Sequence, residues 1–165
     1  MSLAAARTPS AGPVGAVSRP GRLRKSKVEL KVTTIEGDVV RVGQLSFRTG
    51  NRSVGDDHGP VLEVYGGRSA VGQADDWIEI IRYDCFLGDP HRHFFASDGR
   101  EEKNGLGTAT LEESVCVSVD ELRNSLPSIL TRLGYSDLAT VAGPELRPAL
   151  DEVEVRLRKL AQPVG

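Results

Sequence analysis

The sequence predicts an α+β domain: a curved antiparallel sheet of about five strands covered by C-terminal helices, behind a disordered N-terminal tail. Three observations carry this expectation. Between Val28 and Phe95, apolar and polar residues alternate in short runs, the period of half-buried strands. From about residue 118 the apolar spacing becomes that of helices. Strands precede helices, without the strand–helix alternation that a parallel sheet requires.

The chain has 165 residues, enough for one domain and a tail. Residues 1–26 are rich in Ala, Gly, Pro, Ser and Arg, follow neither period and read as a disordered basic tail; residues 27–165 form the single α+β domain. The alternation of Val28, Leu30 and Val32 with Glu29, Lys31 and Thr33 predicts the first strand, and Glu36-Gly37-Asp38 a turn. Val40 and Val42 share one phase, Leu45 and Phe47 the other, so Gly43 at the switch predicts a bulge. Residues 49–59 read as a polar loop, 61–65 as a short strand, 66–76 as another loop, 77–86 as the longest strand and 91–96 as its partner. Ser97-Asp98-Gly99 is a turn; Thr108–Leu111 and Val115–Val117 are candidates for short final strands.

The helical third opens on Ser118-Val119-Asp120-Glu121, a capping-box pattern with Ser118 as N-cap. Leu122, Leu126, Ile129, Leu130 and Leu133 then form one stripe that Gly134 stops, and Pro127 predicts a kink or two short helices. A short helix from Ser136 carries Leu138 and Val141. The last helix puts Leu146, Ala149, Leu150, Val153, Leu157 and Leu160 on one face, Pro148 in its first turn, and Glu152–Arg156 and Glu154–Arg158 as i,i+4 pairs.

Composition narrows the function. No apolar run is long enough for a transmembrane helix, and the N-terminus lacks the apolar core of a secretory signal. Two widely spaced cysteines, Cys85 and Cys116, fit free thiols in a reducing cytoplasm. The net charge is -2, but residues 1–27 carry six bases and no acid, leaving the body at about -8. An acidic body is no platform for nucleic acid, so phosphate contacts read from charge fall to the tail. No membrane partner is expected.

Candidate chemistry concentrates between Ile80 and Phe95, where two of the three histidines stand as His91-x-His93. With residues 87–90 as the loop and Phe86 opposite His91, Asp84 lies opposite His93 and Arg82 opposite Phe95. Asp84, His91 and His93 then share a face, the arrangement of an oriented general base or a metal ligand. Asp84, Asp89, Asp98 or His58 can supply a third ligand to a divalent ion held by the two imidazoles. Asp56-Asp57-His58 reads as a solvated turn, Asp75-Asp76 as a strand entry, and Trp77 and Tyr83 as core. Cys85 shares the face of Tyr83, away from the histidines.

His91-x-His93, Asp98 and Gly105 partly resemble the first cupin motif, which implies His91, His93 and Asp98 as metal ligands. The sequence departs from it with Cys85 at the leading glycine, Asp98 in place of Glu and no histidine after His93. The run Arg82-Tyr83-Asp84-Cys85-Phe86, then Asp89-Pro90-His91-Arg92-His93 and two amphipathic helices, looks like small uncharacterised bacterial proteins over about residues 60–160. The same run is similar to TumE-type toxins, whose likeness implies an RNA-directed site at Arg82, Tyr83, Asp84, His91 and His93. The leading expectation is a cytoplasmic accessory domain that binds a ligand or protein partner through its His-x-His hairpin. The alternatives are a hydrolase or RNase-type toxin, metal-dependent or metal-free, with Asp84, His91, His93 and Arg82 as catalytic residues, and an assembly role for the helical face. The ligand, and whether a divalent metal is its cofactor, stay open at this level.

Overall fold

Six strands pair with their sequence neighbours into one antiparallel meander, β1-β2-β3-β4-β5-β6. They are β1 Asp38–Val42, β2 Leu45–Val54, β3 Asp57–Gly67, β4 Trp77–Asp84, β5 His91–Phe95 and β6 Glu101–Gly105; α1 Leu111–Arg132, α2 Ser136–Ala139 and α3 Leu146–Leu160 follow. This computed structural model describes residues 37–67, 77–140 and 143–162. The expected strand at 28–33, the tail at 1–26, Asp75-Asp76 and Val141 lie outside those residues.

The curved sheet has two unlike faces. One carries Val42, Leu45, Phe47, Leu62, Val64, Ile81, Tyr83 and Phe94 into the core, where the apolar stripes of α1 and α3 cover it. Each large aliphatic side chain fully buried there contributes roughly 1.5–3 kcal/mol, so a core of Leu, Ile and Val suffices with few aromatics. The other face is polar. Arg41 lies over Trp77, Arg48 over Tyr65 and Arg82 over Phe95, each guanidinium carbon 5.3–5.6 Å from the ring centroid.

Several local expectations are corrected. Gly43 is not a bulge: with φ 54° it turns the chain between Val42 and Leu45, which face each other, so the phase switch reflects a tight hairpin. The predicted loop at 49–59 is strand on both sides of a turn at Gly55-Asp56. Its polar residues fooled the pattern because β2 and β3 outrun the core there. The true bulge is in β4. Val64 faces Ile81 and Tyr65 faces Glu79, leaving Ile80 extra, so both isoleucines are buried while Glu79 and Arg82 share the polar face.

The strands expected at 108–111 and 115–117 are absent from the described residues. Leu111–Arg132 is one helix, because the operative capping box lies earlier. Thr110 accepts from the Glu113 backbone N–H at 3.1 Å, and Glu113 accepts from Thr110 N–H at 3.2 Å. Ser118, expected as N-cap, is buried mid-helix and donates to the Ser114 carbonyl at 2.7 Å. Pro127 does not split the helix in two. Gly134, φ 85°, ends it as expected: its N–H reaches Thr131 O and that of Tyr135 reaches Leu130 O, a Schellman closure. The pairs Glu152–Arg156 and Glu154–Arg158 both form on α3.

Thr110→Ala removes one half of the capping box and is expected to cost about 1 kcal/mol. Thr110→Ser should retain most of it, as read from urea unfolding midpoints. Equal midpoints for wild type and Thr110→Ala would show that the helix does not depend on this cap.

Candidate functional site

The β4–β5 hairpin sets the site. Asp84 faces His91, Arg82 faces His93 and Tyr83 faces Arg92. This register is two residues from the expected one, which set Asp84 against His93. A shift of two preserves the face, so the acid and both rings still share one side. The cause is the connection, which runs over residues 85–90 rather than 87–90. After Asp84 the chain stays with β3 instead of pairing with β5: Cys85 N–H donates to Pro60 O at 2.9 Å and Leu87 N–H to His58 O at 3.3 Å. Asp57 then ties the turn, accepting from Gly88 N–H at 3.0 Å and Asp89 N–H at 2.8 Å. Asp57 read as part of a solvated turn; it is the anchor of the connection.

Asp84, His91 and His93 are 2%, 7% and 8% exposed, although they sit on the sheet face opposite the helices. Asp84 Oδ2 lies 3.2 Å from His91 Nε2, 3.4 Å from His93 Nε2 and 3.2 Å from Arg82 Nε. Arg82 is shared: its other nitrogen meets Glu79 Oε1 at 3.3 Å. Burial pushes the Asp84 carboxyl up, but the His93 contact and the charges of Arg82, Arg52 and His91 outweigh it and hold Asp84 below the usual carboxylate range. Glu79 shifts the other way, raised by burial against the opposing charge of Arg82, with Glu63 and Asp84 adding to the rise.

Each ring is held from outside through Nδ1. That of His91 lies 2.6 Å from the Asp89 carbonyl, and that of His93 lies 2.7 Å from Glu101 Oε1. The two rings are 4.9 Å apart, and His93 stacks on Phe95 at 5.9 Å. Arg52, Val54, Asp57, Phe86, Asp89 and Lys103 join Arg82, Asp84 and the histidines around a cavity of about 370 Å³. Asp84 Oδ1 is buried there without a hydrogen-bond partner among the described residues; Arg52 stands 3.8 Å from it.

Asp84, His91 and His93 form the one group of described residues with three metal-type donor atoms within 4.8 Å of one another. Asp98 stands apart in the β5–β6 turn, its carboxylate taken by Arg100 at 2.7 Å. His58 is exposed on β3, outside the group. Arg92, an alternative cation for the site, points to the helix side, pairing with Glu121 at 3.2 Å. Tyr83 also faces the helices and donates to Glu121 at 2.8 Å, which removes it from the polar face that the toxin likeness assigned it. Trp77 is half-buried on the polar face rather than core. Arg52, Glu101 and Lys103 stand at the site without having been among the expected residues. A charged run directly after Ser-Asp-Gly was the available signal for β6, as the hairpin partner of β5.

Two solution measurements follow. The lowered Asp57 carboxyl owes its shift first to the Gly88 N–H, with the Asp89 and His58 amides assisting. Its tie is therefore intact above the ordinary carboxylate value of 3.8 and is lost as pH falls through its lower folded value. The Gly88 and Asp89 amide resonances should shift together on acidification below about pH 4 and lose that transition in Asp57→Asn; an unchanged titration in the variant would reject the anchor. Burial pushes the Cys85 thiol up to about 11, whereas Cys116 is half-exposed. Iodoacetamide at neutral pH should label Cys116 and spare Cys85 in native protein; peptide mapping showing equal labelling would contradict the burial.

A family model described as a domain of unknown function (DUF7700) matches residues 39–157, from β1 into α3. No curated protein matches the chain, and no solved structure does. No helix among the described residues is long and apolar enough to cross a membrane. The matched segment takes in all of the meander but Asp38, the Asp84–His91–His93 cluster and most of the helical cover, and the chain belongs to this DUF7700 family.

Proposed function

We propose that this domain binds a small polar ligand in the cavity beside the His-x-His hairpin. The observation that carries the reading is Asp84, which lines that cavity and whose Oδ1 is buried without a hydrogen-bond partner among the described residues. A buried carboxylate oxygen with no donor costs free energy that a bound donor recovers. The cavity's volume suits small ligands, whose sites run from about 300 to 1,000 Å³. Its lining mixes Arg52, Arg82 and Lys103 with Asp57, Asp84 and Asp89, and adds Phe86 and Val54 as apolar walls. Such a mixture recognises a compact ligand bearing both donors and acceptors. The likeness to small bacterial proteins and the two free thiols support a cytoplasmic bacterial accessory protein.

A second reading, a hydrolase or metal-free RNase of toxin type, is favoured by two imidazoles beside three cations in one cavity. It would use Asp84, His91, His93 and Arg82. Growth arrest on expression, relieved by His91→Ala, is its signature.

The ligand-binding reading is tested by thermal shift with a panel of amino acids, small carboxylates, phosphates and nucleotides. At least one should raise the melting temperature of wild type and leave a folded His91→Ala/His93→Ala variant unmoved. Amide shifts from that compound should cluster at the cavity residues. A panel whose members act equally on both proteins would overturn the reading.

A further inference from the structure

The geometry points to a divalent transition-metal site at His91 Nε2, His93 Nε2 and Asp84, on the floor of the cavity proposed above to bind a ligand; we infer that Zn2+ or an ion of its class occupies it. The inference rests on that reading of the cavity and names the ion that its ligand would meet.

A carbonyl only accepts, so His91 Nδ1 carries the hydrogen that goes to Asp89 O. By the same logic His93 Nδ1 gives its hydrogen to the Glu101 carboxylate. In the neutral rings both Nε2 atoms are then bare lone pairs. They face Asp84 Oδ2, which also offers only lone pairs, at 3.2 and 3.4 Å. Three such acceptors hold together only with positive charge among them, either a proton on a ring or a metal cation that all three coordinate. An outer acceptor on the far nitrogen of each imidazole is the support that orients metal-binding histidines.

Ligand atoms about 2.0–2.1 Å from a tetrahedral zinc stand about 3.3 Å from each other. The two separations from Asp84 Oδ2, 3.2 and 3.4 Å, bracket that value. The donors come from paired strand positions, Asp84 directly across from His91 and His93 two residues on, so the sheet itself fixes the geometry. Arg82 also donates to Oδ2, but that oxygen has a second lone pair, and Glu79 shares the guanidinium charge. Two imidazoles and one carboxylate suit Zn2+, Co2+ or Ni2+, whereas Mg2+ and Ca2+ want oxygen throughout. Three protein donors leave a tetrahedral ion a fourth position for a water or the cavity's ligand, and all three donor residues line that cavity.

The test uses the full-length chain, stripped with EDTA and titrated with Co2+ and Zn2+. One Co2+ per chain should bind, giving the visible absorption of a four- or five-coordinate ion, and Zn2+ should displace it. In imidazole 15N spectra, Zn2+ should move the Nε2 resonances of His91 and His93 and leave His58 unmoved, a readout that needs no variant. His91→Ala and His93→Ala should lose the one-to-one site, Glu101→Gln should weaken it about 10–100-fold, and Asp98→Ala should leave it unchanged. Protonated His91 and His93 rings that ignore Zn2+ at neutral pH, or Co2+ binding that survives both histidine substitutions, would overturn the inference. Failure of Zn2+ with the panel still acting at the cavity sinks the metal alone. Tight Zn2+ binding with no panel member acting on the loaded protein sinks the ligand reading alone.

Discussion

A buried carboxylate, Asp84, governs the polar half of this structure. Removing an unpaired charge from water costs several kcal/mol, so its presence on a 2%-exposed residue demands compensation nearby. Arg82, two residues along the strand on the same face, supplies the closest charge, and the β-bulge at Ile80 brings Glu79 beside it. Without the extra residue, strict alternation would put Glu79 on the face opposite Arg82. The bulge instead buries two consecutive isoleucines on the helix side and sets Glu79, Arg82 and Asp84 in a row on the other. One backbone irregularity therefore serves the core and the site together.

The scaffold beneath the site is the β2–β3 hairpin rather than the hairpin that bears the histidines. Residues 85–87 pair with the beginning of β3, and Asp57 receives the two amides that follow. These contacts fix where β5 begins, and with it which residue faces Asp84. They also place the Asp89 carbonyl against the His91 ring. The far ring is set by Glu101, on the edge strand β6. Orientation of the two imidazoles thus comes from opposite sides, one from a loop carbonyl and one from a strand carboxylate.

Much of the architecture was legible from patterning alone. The α+β class, the helix stripes, the Gly134 stop and the turn at Ser97-Asp98-Gly99 all rest on periodicity or on residues with narrow backbone roles. The failures share a cause. β6 and the tips of β2 and β3 are strands without an apolar face, so hydrophobic alternation is silent there although backbone pairing is not. The Thr110 cap lost to the Ser118 pattern because both satisfy the same local rule, and only packing of Val115 and Val119 into the core chooses between them. At the site, face parity was readable because the strand period is exactly two residues, while register was not: it depends on contacts to β3 that are distant in sequence. The cupin-like spacing proposed Asp98 because local motifs count along the chain, whereas the donor beside both rings comes from the neighbouring strand.

The orientation of the rings bears on the choice among chemistries. A metal-free acid–base pair needs one imidazole to present a proton and the other a lone pair toward the substrate. Here both present the same nitrogen to one carboxylate oxygen, and both have the other nitrogen committed to a fixed acceptor. Equivalent rings aimed at a common point are poorly differentiated as acid and base but well matched as ligands to one ion. The same convergence gathers three donor atoms on residues only 2–8% exposed. A cation bound there would engage the folded sheet and not the unfolded chain, so its occupancy and the stability of this hairpin would rise together.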